Sequence, residues 1–578
     1  MKKYFYLSLL AVSIFAVGCT DEDDMNETTS SSEISAEFYA GGSLGTSTTW
    51  GSKCFEQSGS AVDSYGYADD FLRGEQIFEG YFATEKESLA DPRGRGPLSI
   101  RESCIHCHPG YGHGKRLGDY GNDIVGFKTA TRTNGNGYLL VVYGPGAWGT
   151  FGADEAILSG ITGSTWVDPH AEDDYYVSEL TGMPQTQSIA PFKAPIDEDQ
   201  ITIQWLKHTD EWDNKYADGT SYELIYPEVN IPESAFAYKN DNLAEGAFKV
   251  KLEATIGIYG TGLLDAITEE DIDAEYESQL TQVWGGRRGK EITQLDGSVR
   301  KGRFTYALTR GTLQNGPGSN ALWNITNVTR ESSTATYGTN YMTTFYAESA
   351  ASDAELIEDI KSDSYYGTFL VGDNDNDAET SIRIYNYLMY NNWYGVEKLT
   401  STNYNDSAYD NTRAERELAQ TDYVNFMVWH RGLAVPAARN TSTTKFKQGK
   451  ELFEQMSCTA CHRPSWTTGA DFYVGDDDLQ AKLPRYPYQT IWPYSDMLQH
   501  NLGMVNNIRT GWCRTTPLWG RSLNLVANGE SSHLHDMRAR TYEEAIMWHK
   551  GQGKYSSDQF RQLSKTERDA VVYFLESI

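Results

Sequence analysis

The sequence predicts a mainly helical protein with two similar modules, joined by long loops and a few short strands. A five-residue motif occurs twice among its 578 residues, as Cys104–His108 and as Cys458–His462. Each copy follows a glycine and a phenylalanine four residues apart, a spacing that places both on one face of a helix. Two helix-capping sequences lie close to the C-terminus. These observations place one helical module towards each end of the chain.

Both copies of the motif have the pattern Cys-x-x-Cys-His. Cysteines at this spacing can each form a thioether with a haem vinyl group, and the adjoining histidine can bind the iron. The predicted haem-attachment residues are Cys104, Cys107, Cys458 and Cys461, and the predicted iron ligands are His108 and His462. The alternative is one zinc site assembled from the two halves. The histidine that ends both copies, together with signs of export, favours two covalently bound c-type haems.

The glycine–phenylalanine pairs are Gly74 with Phe78 and Gly449 with Phe453. These segments resemble cytochromes c, in which such a pair marks the crossing of the N-terminal and C-terminal helices. The second pair lies close to its motif, whereas a long loop over residues 80–103 separates the first pair from its motif. The resemblance implies two cytochrome c-like haem domains, of which the first is the more elaborate.

The N-terminus resembles a bacterial lipoprotein signal. Two lysines precede an apolar run from Tyr4 to Val17, which is too short to span a bilayer comfortably. Small residues then precede Cys19, the position that is acylated in lipoproteins; the alternative is an ordinary signal peptide with an incidental cysteine. We therefore expect an outer-membrane lipoprotein on the periplasmic face or the cell surface, with membrane contact only through the lipid anchor.

The net charge of −31 argues against nucleic acid as a partner and favours a basic redox protein or a small electron donor. Two cysteines, Cys54 and Cys513, remain after haem and lipid attachment. We hypothesise that they form a disulfide; the alternative is two unrelated buried thiols. The predicted division of the chain is a signal peptide (1–19), a flexible tether (20–50), an N-terminal haem domain (51–250), a middle region with an acidic insertion (251–435) and a C-terminal haem domain (436–578).

Strands are expected in the middle of the chain. Tyr138–Tyr143 follows the turn-forming residues 134–137 and ends at Gly144-Pro145, and a second strand over residues 222–226 is expected to stop at Pro227. Residues 352–413 are polar and acidic. Their run Gly372–Asp377 alternates Asp and Asn and can offer oxygen ligands to calcium, but it lacks EF-hand spacing. A solvated surface insertion is the better interpretation.

The second axial ligand of the C-terminal haem has several candidates: Met497, His500, Met504, His533, His535, Met537, Met547 and His549. Thr541 and Glu544 form a capping box, so a helix is expected to begin there and to hold His549 in its last turn, before Gly551. A histidine at a helix end also interacts with the helix dipole, which leaves this assignment open from spacing alone. A further capping box, Ser564 with Glu567, predicts a final helix that packs against the Gly449 helix.

Several segments resemble the di-haem oxidoreductase family, which is itself similar to MauG and bacterial dihaem cytochrome c peroxidases. The similar segments are 216–220, 260–267, 302–304, 491–500, 516–520, 533–541 and 544–549. The resemblance implies that His549 is the distal ligand of the C-terminal haem and that peroxide meets the N-terminal haem. It also implies that Asp265, which stands where the family usually has Glu, moves protons as a catalytic acid. The alternative is a helix-start acid. The chain also departs from the family at Met537, usually Gly, and at Asn501, commonly Asp.

Three functions compete. The first is an exported haem oxidoreductase of peroxidase type, with electrons passing from a bis-histidine C-terminal haem to a reactive N-terminal haem that meets peroxide or another substrate. The second is an electron-transfer cytochrome of the cell envelope without peroxidase activity. The third is a surface binding protein in which the haems are structural.

Overall fold

A computed structural model describes most of the chain and is mainly helical, with short strands arranged in small sheets, which confirms the predicted fold class. Within those described residues, no helix is long and apolar enough to cross a membrane. The signal peptide, Cys19 and the turn at residues 134–136 lie outside them. The described residues are 35–87, 93–122, 124–125, 137–143, 177, 179–180, 183–293, 299–313, 342–404, 406–412, 418–472, 482–508 and 511–578.

The helices are α1 (Gly42–Gly45), α2 (Ser60–Tyr65), α3 (Ala68–Glu79), α4 (Thr261–Asp265), α5 (Glu269–Gln279), α6 (Thr344–Ala351), α7 (Ala354–Ser362), α8 (Asp377–Tyr390), α9 (Gln420–Gly432), α10 (Thr444–Gln455), α11 (Asn524–Asn528), α12 (Tyr542–Met547), α13 (Lys554–Gln562) and α14 (Lys565–Ser577). The strands are β1 (Thr46–Ser47), β2 (Ala83–Thr84), β3 (Arg93–Arg95), β4 (Leu98–Ser99), β5 (Ile124–Val125), β6 (Tyr138–Tyr143), β7 (Gln187–Ser188), β8 (Thr202–His208), β9 (Leu224–Asn230), β10 (Lys249–Ala254), β11 (Glu291–Thr293), β12 (Val299–Lys301), β13 (Val435–Pro436), β14 (Trp466–Thr467), β15 (Thr490–Ile491), β16 (Gln499–Asn501) and β17 (Trp512–Arg514).

Two pairs of crossed helices form the framework of the haem motifs. Helix α10 packs against α14, as the sequence predicted, and α3 packs against α9. A Cβ added at Gly449 would lie 2.8 Å from the Cβ of Phe574 on α14. A Cβ added at Gly74 would meet the backbone of α9 in the same way, beside Trp429. Both crossings therefore depend on a glycine that lets two helix backbones approach closely.

The predicted strand Tyr138–Tyr143 is present as β6 and pairs antiparallel with β10. A three-stranded antiparallel sheet has the order β5-β8-β9. The expectation that Pro227 would stop the second strand is wrong, because β9 continues through it to Asn230, with Pro227 opposite Trp205. Strand β9 is at the edge of this sheet, where a residue without an N–H need not break the ladder.

The acidic insertion is not simply a solvated segment. Helices α6, α7 and α8 enclose an aromatic and aliphatic core, in which Tyr346, Tyr366 and Tyr387 are buried. The composition of the insertion is polar because its acidic side chains lie outside this core. At the turn before α8, Asn376 caps the helix by accepting hydrogen bonds from two backbone amides, while Asp377 pairs with Lys361. In this turn, Asn376 therefore serves as a helix cap and Asp377 as an ion-pair partner.

Cys54 and Cys513 are both buried but belong to different clusters. Cys54 is part of the largest hydrophobic core, and Cys513 packs with Tyr306 and Ile508. The disulfide hypothesis is wrong, and the alternative of two unrelated buried thiols describes the structure.

Candidate functional site

The first motif lies beside the crossing of α3 and α9. A single turn of 3-10 helix holds Cys104–His106, and the ring of His108 lies 6.2 Å from that of Phe78. The Nδ1–H of His108 donates to the carbonyl oxygen of Ile256 at 3.1 Å. Because a carbonyl oxygen can only accept a hydrogen bond, the proton of the neutral ring must be on Nδ1, and Nε2 keeps its lone pair for a metal. Burial lowers the pKa of His108 to about 4, which holds the ring neutral.

The second motif repeats this geometry. A 3-10 turn holds Cys458–Ala460 directly after α10, and the ring of His462 lies 6.0 Å from that of Phe453. The Nδ1–H of His462 donates to the carbonyl oxygen of Tyr494, again at 3.1 Å. Burial lowers the pKa of His462 to about 4. Both histidines therefore present an unprotonated Nε2, as an iron ligand must.

The two motifs occupy separate places in the fold. Cys104 packs against the largest core, together with Phe78 and Trp429, while Cys458 packs against the cluster that contains Phe453 and Phe574. A zinc ion shared between the two motifs would need all of its ligands within one coordination sphere. The arrangement favours two independent sites over the split zinc site.

A cavity of about 400 Å³ adjoins the second motif, within the size range of small-molecule and cofactor sites. Its lining includes the motif residues Cys458, Cys461 and His462, and also His549. The rings of His462 and His549 lie 6.3 Å apart, between centroids. Because a metal–imidazole bond is about 2 Å long, two imidazoles bound to opposite sides of one ion have centroids about 6 Å apart.

His549 lies just beyond α12 rather than in its last turn, because the helix ends at Met547. Thr541 caps the start of α12 by accepting from the Glu544 amide, as expected. The Nδ1–H of His549 donates to the carbonyl oxygen of Ala545 at 2.7 Å, which leaves Nε2 available. Burial lowers the pKa of His549, so this ring also is held neutral.

Other candidate ligands have different surroundings. His500 lines the cavity, but its Nε2 is hydrogen-bonded to Asp496 at 2.7 Å and its Nδ1 lies 3.6 Å from the Cys461 sulfur. The ring of His533 packs at a tilt against that of Tyr542, with the centroids 4.3 Å apart. His535 lies edge-on to Tyr306. His549 is the candidate whose ring contacts that of His462.

Two buried arginines test whether this cavity suits a haem. Arg514 and Arg521 line the cavity and are 3% and 6% exposed. Within the described part of the chain, neither forms an ion pair with a carboxylate. Arg514 donates to a backbone carbonyl and Arg521 to the His113 ring. A buried cation without a counter-ion is costly, and a haem has two propionate groups that would neutralise such cations. The residues that line the cavity therefore fit a haem. Neither arginine was predicted from the sequence.

The structure places Asp265 away from this cavity, at the end of α4. Its carboxylate accepts from Arg431 at 2.6 Å, and Arg431 also pairs with Asp471. Burial raises the pKa of Asp265, although the neighbouring Arg431 opposes that rise. These three residues line a second, smaller cavity, together with Arg303 and Glu269. The surroundings of Asp265 are those of a buried ion-pair network.

Comparison with known proteins adds one result. Residues 388–578 match the model of the family described as "Di-haem oxidoreductase, putative peroxidase". The matched region begins within α8 and includes α9, the second motif, most of the residues that line the cavity, both buried arginines and His549. No curated protein matches the chain.

Proposed function

We propose that this chain, whose residues 388–578 carry a di-haem oxidoreductase domain, is an exported peroxidase-type enzyme with one c-type haem in each module. Cys104 and Cys107 would attach the first haem, with His108 as its ligand. Cys458 and Cys461 would attach the second haem. Bound haems would supply one-electron chemistry, and the protein determines which of them is open to a substrate.

The observation that carries this proposal is the pair His462 and His549, whose ring centroids lie 6.3 Å apart. Two neutral imidazoles held by carbonyl hydrogen bonds would both hold the iron of the second haem. A fully ligated site suits electron transfer and leaves no position for peroxide. We therefore assign electron entry to the C-terminal module and reaction with peroxide to the N-terminal module.

Electron entry needs a route from solvent to the C-terminal module. The cavity beside His462 reaches the surface between Val283 and Tyr555, which are 68% and 58% exposed. Several carboxylates lie on α5, just before Val283. With a chain charge of −31, this rim suits an electron donor with a basic face. Lipid attachment at Cys19 would hold the enzyme at the outer membrane; this part of the proposal rests on the sequence alone.

The test is EPR and UV-visible spectroscopy of the purified protein, with and without peroxide. We expect one low-spin haem, one haem with a high-spin component, and a change of the second upon peroxide addition. In the His549→Ala variant the low-spin signal should diminish, because one of its two nitrogen ligands is lost. Two low-spin haems without any response to peroxide would refute the proposal and favour an electron-transfer cytochrome instead.

A further inference from the structure

Each module packs a buried tyrosine against the aromatic pair at its helix crossing, but the two tyrosines have different hydrogen-bond partners. In the C-terminal module, the Tyr494 ring lies 6.2 Å from Phe453 and 5.6 Å from Phe574. In the N-terminal module, the Tyr111 ring lies 4.9 Å from Phe78 and 5.7 Å from Trp429. Both tyrosines are buried, with exposed fractions of 0% for Tyr111 and 1% for Tyr494. Each therefore contacts the aromatic pair at the helix crossing of its own module.

The difference lies at the phenol oxygen. Among the described residues, no hydrogen-bond partner reaches the Tyr494 hydroxyl. The Tyr111 hydroxyl instead donates to the Glu79 carboxylate at 2.9 Å and lies 3.3 Å from that of Glu75. Glu79 is exposed, and both carboxylates lie within 4.8 Å of that of Glu56. Tyr111 thus has a proton acceptor with access to solvent, which Tyr494 lacks.

Tyr111 is also connected to the first haem motif. Its backbone N–H donates to the carbonyl oxygen of His108 at 2.9 Å. Phe78 contacts both rings, since it lies 4.9 Å from Tyr111 and 6.2 Å from His108. Trp429 lies 4.4 Å from Phe78. A continuous set of aromatic rings therefore joins the predicted iron ligand to a phenol that is hydrogen-bonded to a surface carboxylate.

We propose that Tyr111 is a redox-active tyrosine that relays single electrons between the N-terminal haem and the surface at Glu79. This inference rests on the proposed function, which supplies peroxide as the oxidant. In the step, Tyr111 would give up one electron towards the haem that His108 would hold, with peroxide as the final oxidant, while the phenol proton passes to the Glu79 carboxylate. An external one-electron donor then reduces the tyrosyl radical, and the proton returns from Glu79.

The carboxylate is essential to this step because oxidation makes a phenol strongly acidic, so the proton must leave with the electron. In the resting protein the phenol of Tyr111 donates its hydrogen bond to the Glu79 carboxylate, so the proton is on the tyrosine. Glu79 therefore provides an acceptor at hydrogen-bond distance when the electron departs. Tyr494 also packs against an aromatic pair at a helix crossing, but no acceptor among the described residues reaches its hydroxyl, so we expect it to remain unoxidised.

The test is rapid-freeze EPR of the haem-loaded full chain after mixing with hydrogen peroxide. We expect a narrow radical signal that changes its hyperfine structure when the protein carries ring-deuterated tyrosine. This signal should be lost in Tyr111→Phe and strongly reduced in Glu79→Gln, which keeps an acceptor oxygen but removes the base. The matched control, Tyr494→Phe, should keep the full signal. Haem absorbance and the unfolding midpoint identify variants that remain folded, and Glu79→Gln alters only an exposed side chain.

The outcomes separate the two proposals. A haem spectrum that does not respond to peroxide in the wild-type protein would overturn the proposed function. A haem that responds, with a radical signal unchanged in Tyr111→Phe, would overturn the role of Tyr111 and leave the peroxidase function standing. Loss of the signal in Tyr494→Phe but not in Tyr111→Phe would also overturn it.

Discussion

The close crossing of α10 and α14 leads to a prediction for Gly449→Ala. The new Cβ would lie 2.7 Å from the carbonyl carbon of Ala570 and 2.8 Å from the Cβ of Phe574. Carbon atoms in contact normally lie about 3.5 to 4.0 Å apart, so the two helices must separate by about 1 Å. Both atoms belong to α14 at its buried face, and neither can move aside as a flexible side chain could.

The magnitude follows from two opposing terms. Overpacking of this kind costs about 1 to 3 kcal/mol, whereas alanine inside a helix gains up to about 1 kcal/mol over glycine. We expect a net loss of about 1 to 2 kcal/mol in the free energy of unfolding of the C-terminal module. The shift should also disturb the haem site, because Phe453 and Leu575 of these helices line its cavity.

The assay is denaturant unfolding, followed through the absorbance of the low-spin haem, because a chain with several modules need not unfold in one step. Gly51→Ala is the control, since a Cβ there has open space around it. Gly74→Ala should disturb the N-terminal haem instead, because its Cβ would lie 2.8 Å from the Asn425 carbonyl carbon. A Gly449→Ala protein as stable as Gly51→Ala would refute the reasoning about the helix crossing.

Three further predictions concern charge and cofactor content. Burial raises the pKa of Glu85 to about 7, so the folded state binds this proton more tightly than the unfolded state does. The free energy of unfolding should therefore fall by up to about 3 kcal/mol as pH rises from about 4.5 to 7. Urea titrations of Glu85→Gln should lack this pH dependence. Arg521→Gln should lower the reduction potential of the C-terminal haem in spectroelectrochemistry, because a buried cation favours the reduced form. The control, Arg540→Gln, should leave that potential unchanged, because Arg540 is partly exposed and already paired with Glu544. Mass spectrometry of the mature protein should find two covalent haems and acylation at Cys19.

Local sequence patterns predicted the C-terminal helices well because each signal acts within a few residues. Ser564 and Glu567 form the expected capping box at the start of α14. Gly449 and Phe453 correctly indicated that α10 would cross another helix, and Phe453 lies 5.3 Å from Phe574 on α14. In each case the sequence contained both partners of the interaction, or a residue type that only close contact explains.

The sequence did not indicate which helix would cross α3. Its partner, α9, lies near the end of the segment 251–435, which the sequence assigns to the middle region and not to the N-terminal haem domain. The helix that packs against a glycine needs only an accessible stretch of backbone with a large side chain beside it. On α9 this side chain is Trp429, which belongs to no distinctive motif. Pairing between distant segments is decided by tertiary packing, which leaves little trace in local patterns. For the same reason the cavity arginines and the Glu79 partner of Tyr111 could not be predicted.

Under the proposed function, the repeated framework explains how one chain could contain two haem sites with different chemistry. Each module uses a glycine-dependent helix crossing, a phenylalanine beside the histidine and a carbonyl bond of 3.1 Å to its Nδ1. These shared contacts fix the orientation of His108 and His462. The residues elsewhere around each histidine can differ between the modules. In the C-terminal module the ring of His549 lies near that of His462, and no base among the described residues reaches the hydroxyl of Tyr494. In the N-terminal module Glu79 accepts from Tyr111. Under the proposed function, the difference between an electron-entry site and a reactive site therefore lies in residues outside the shared framework.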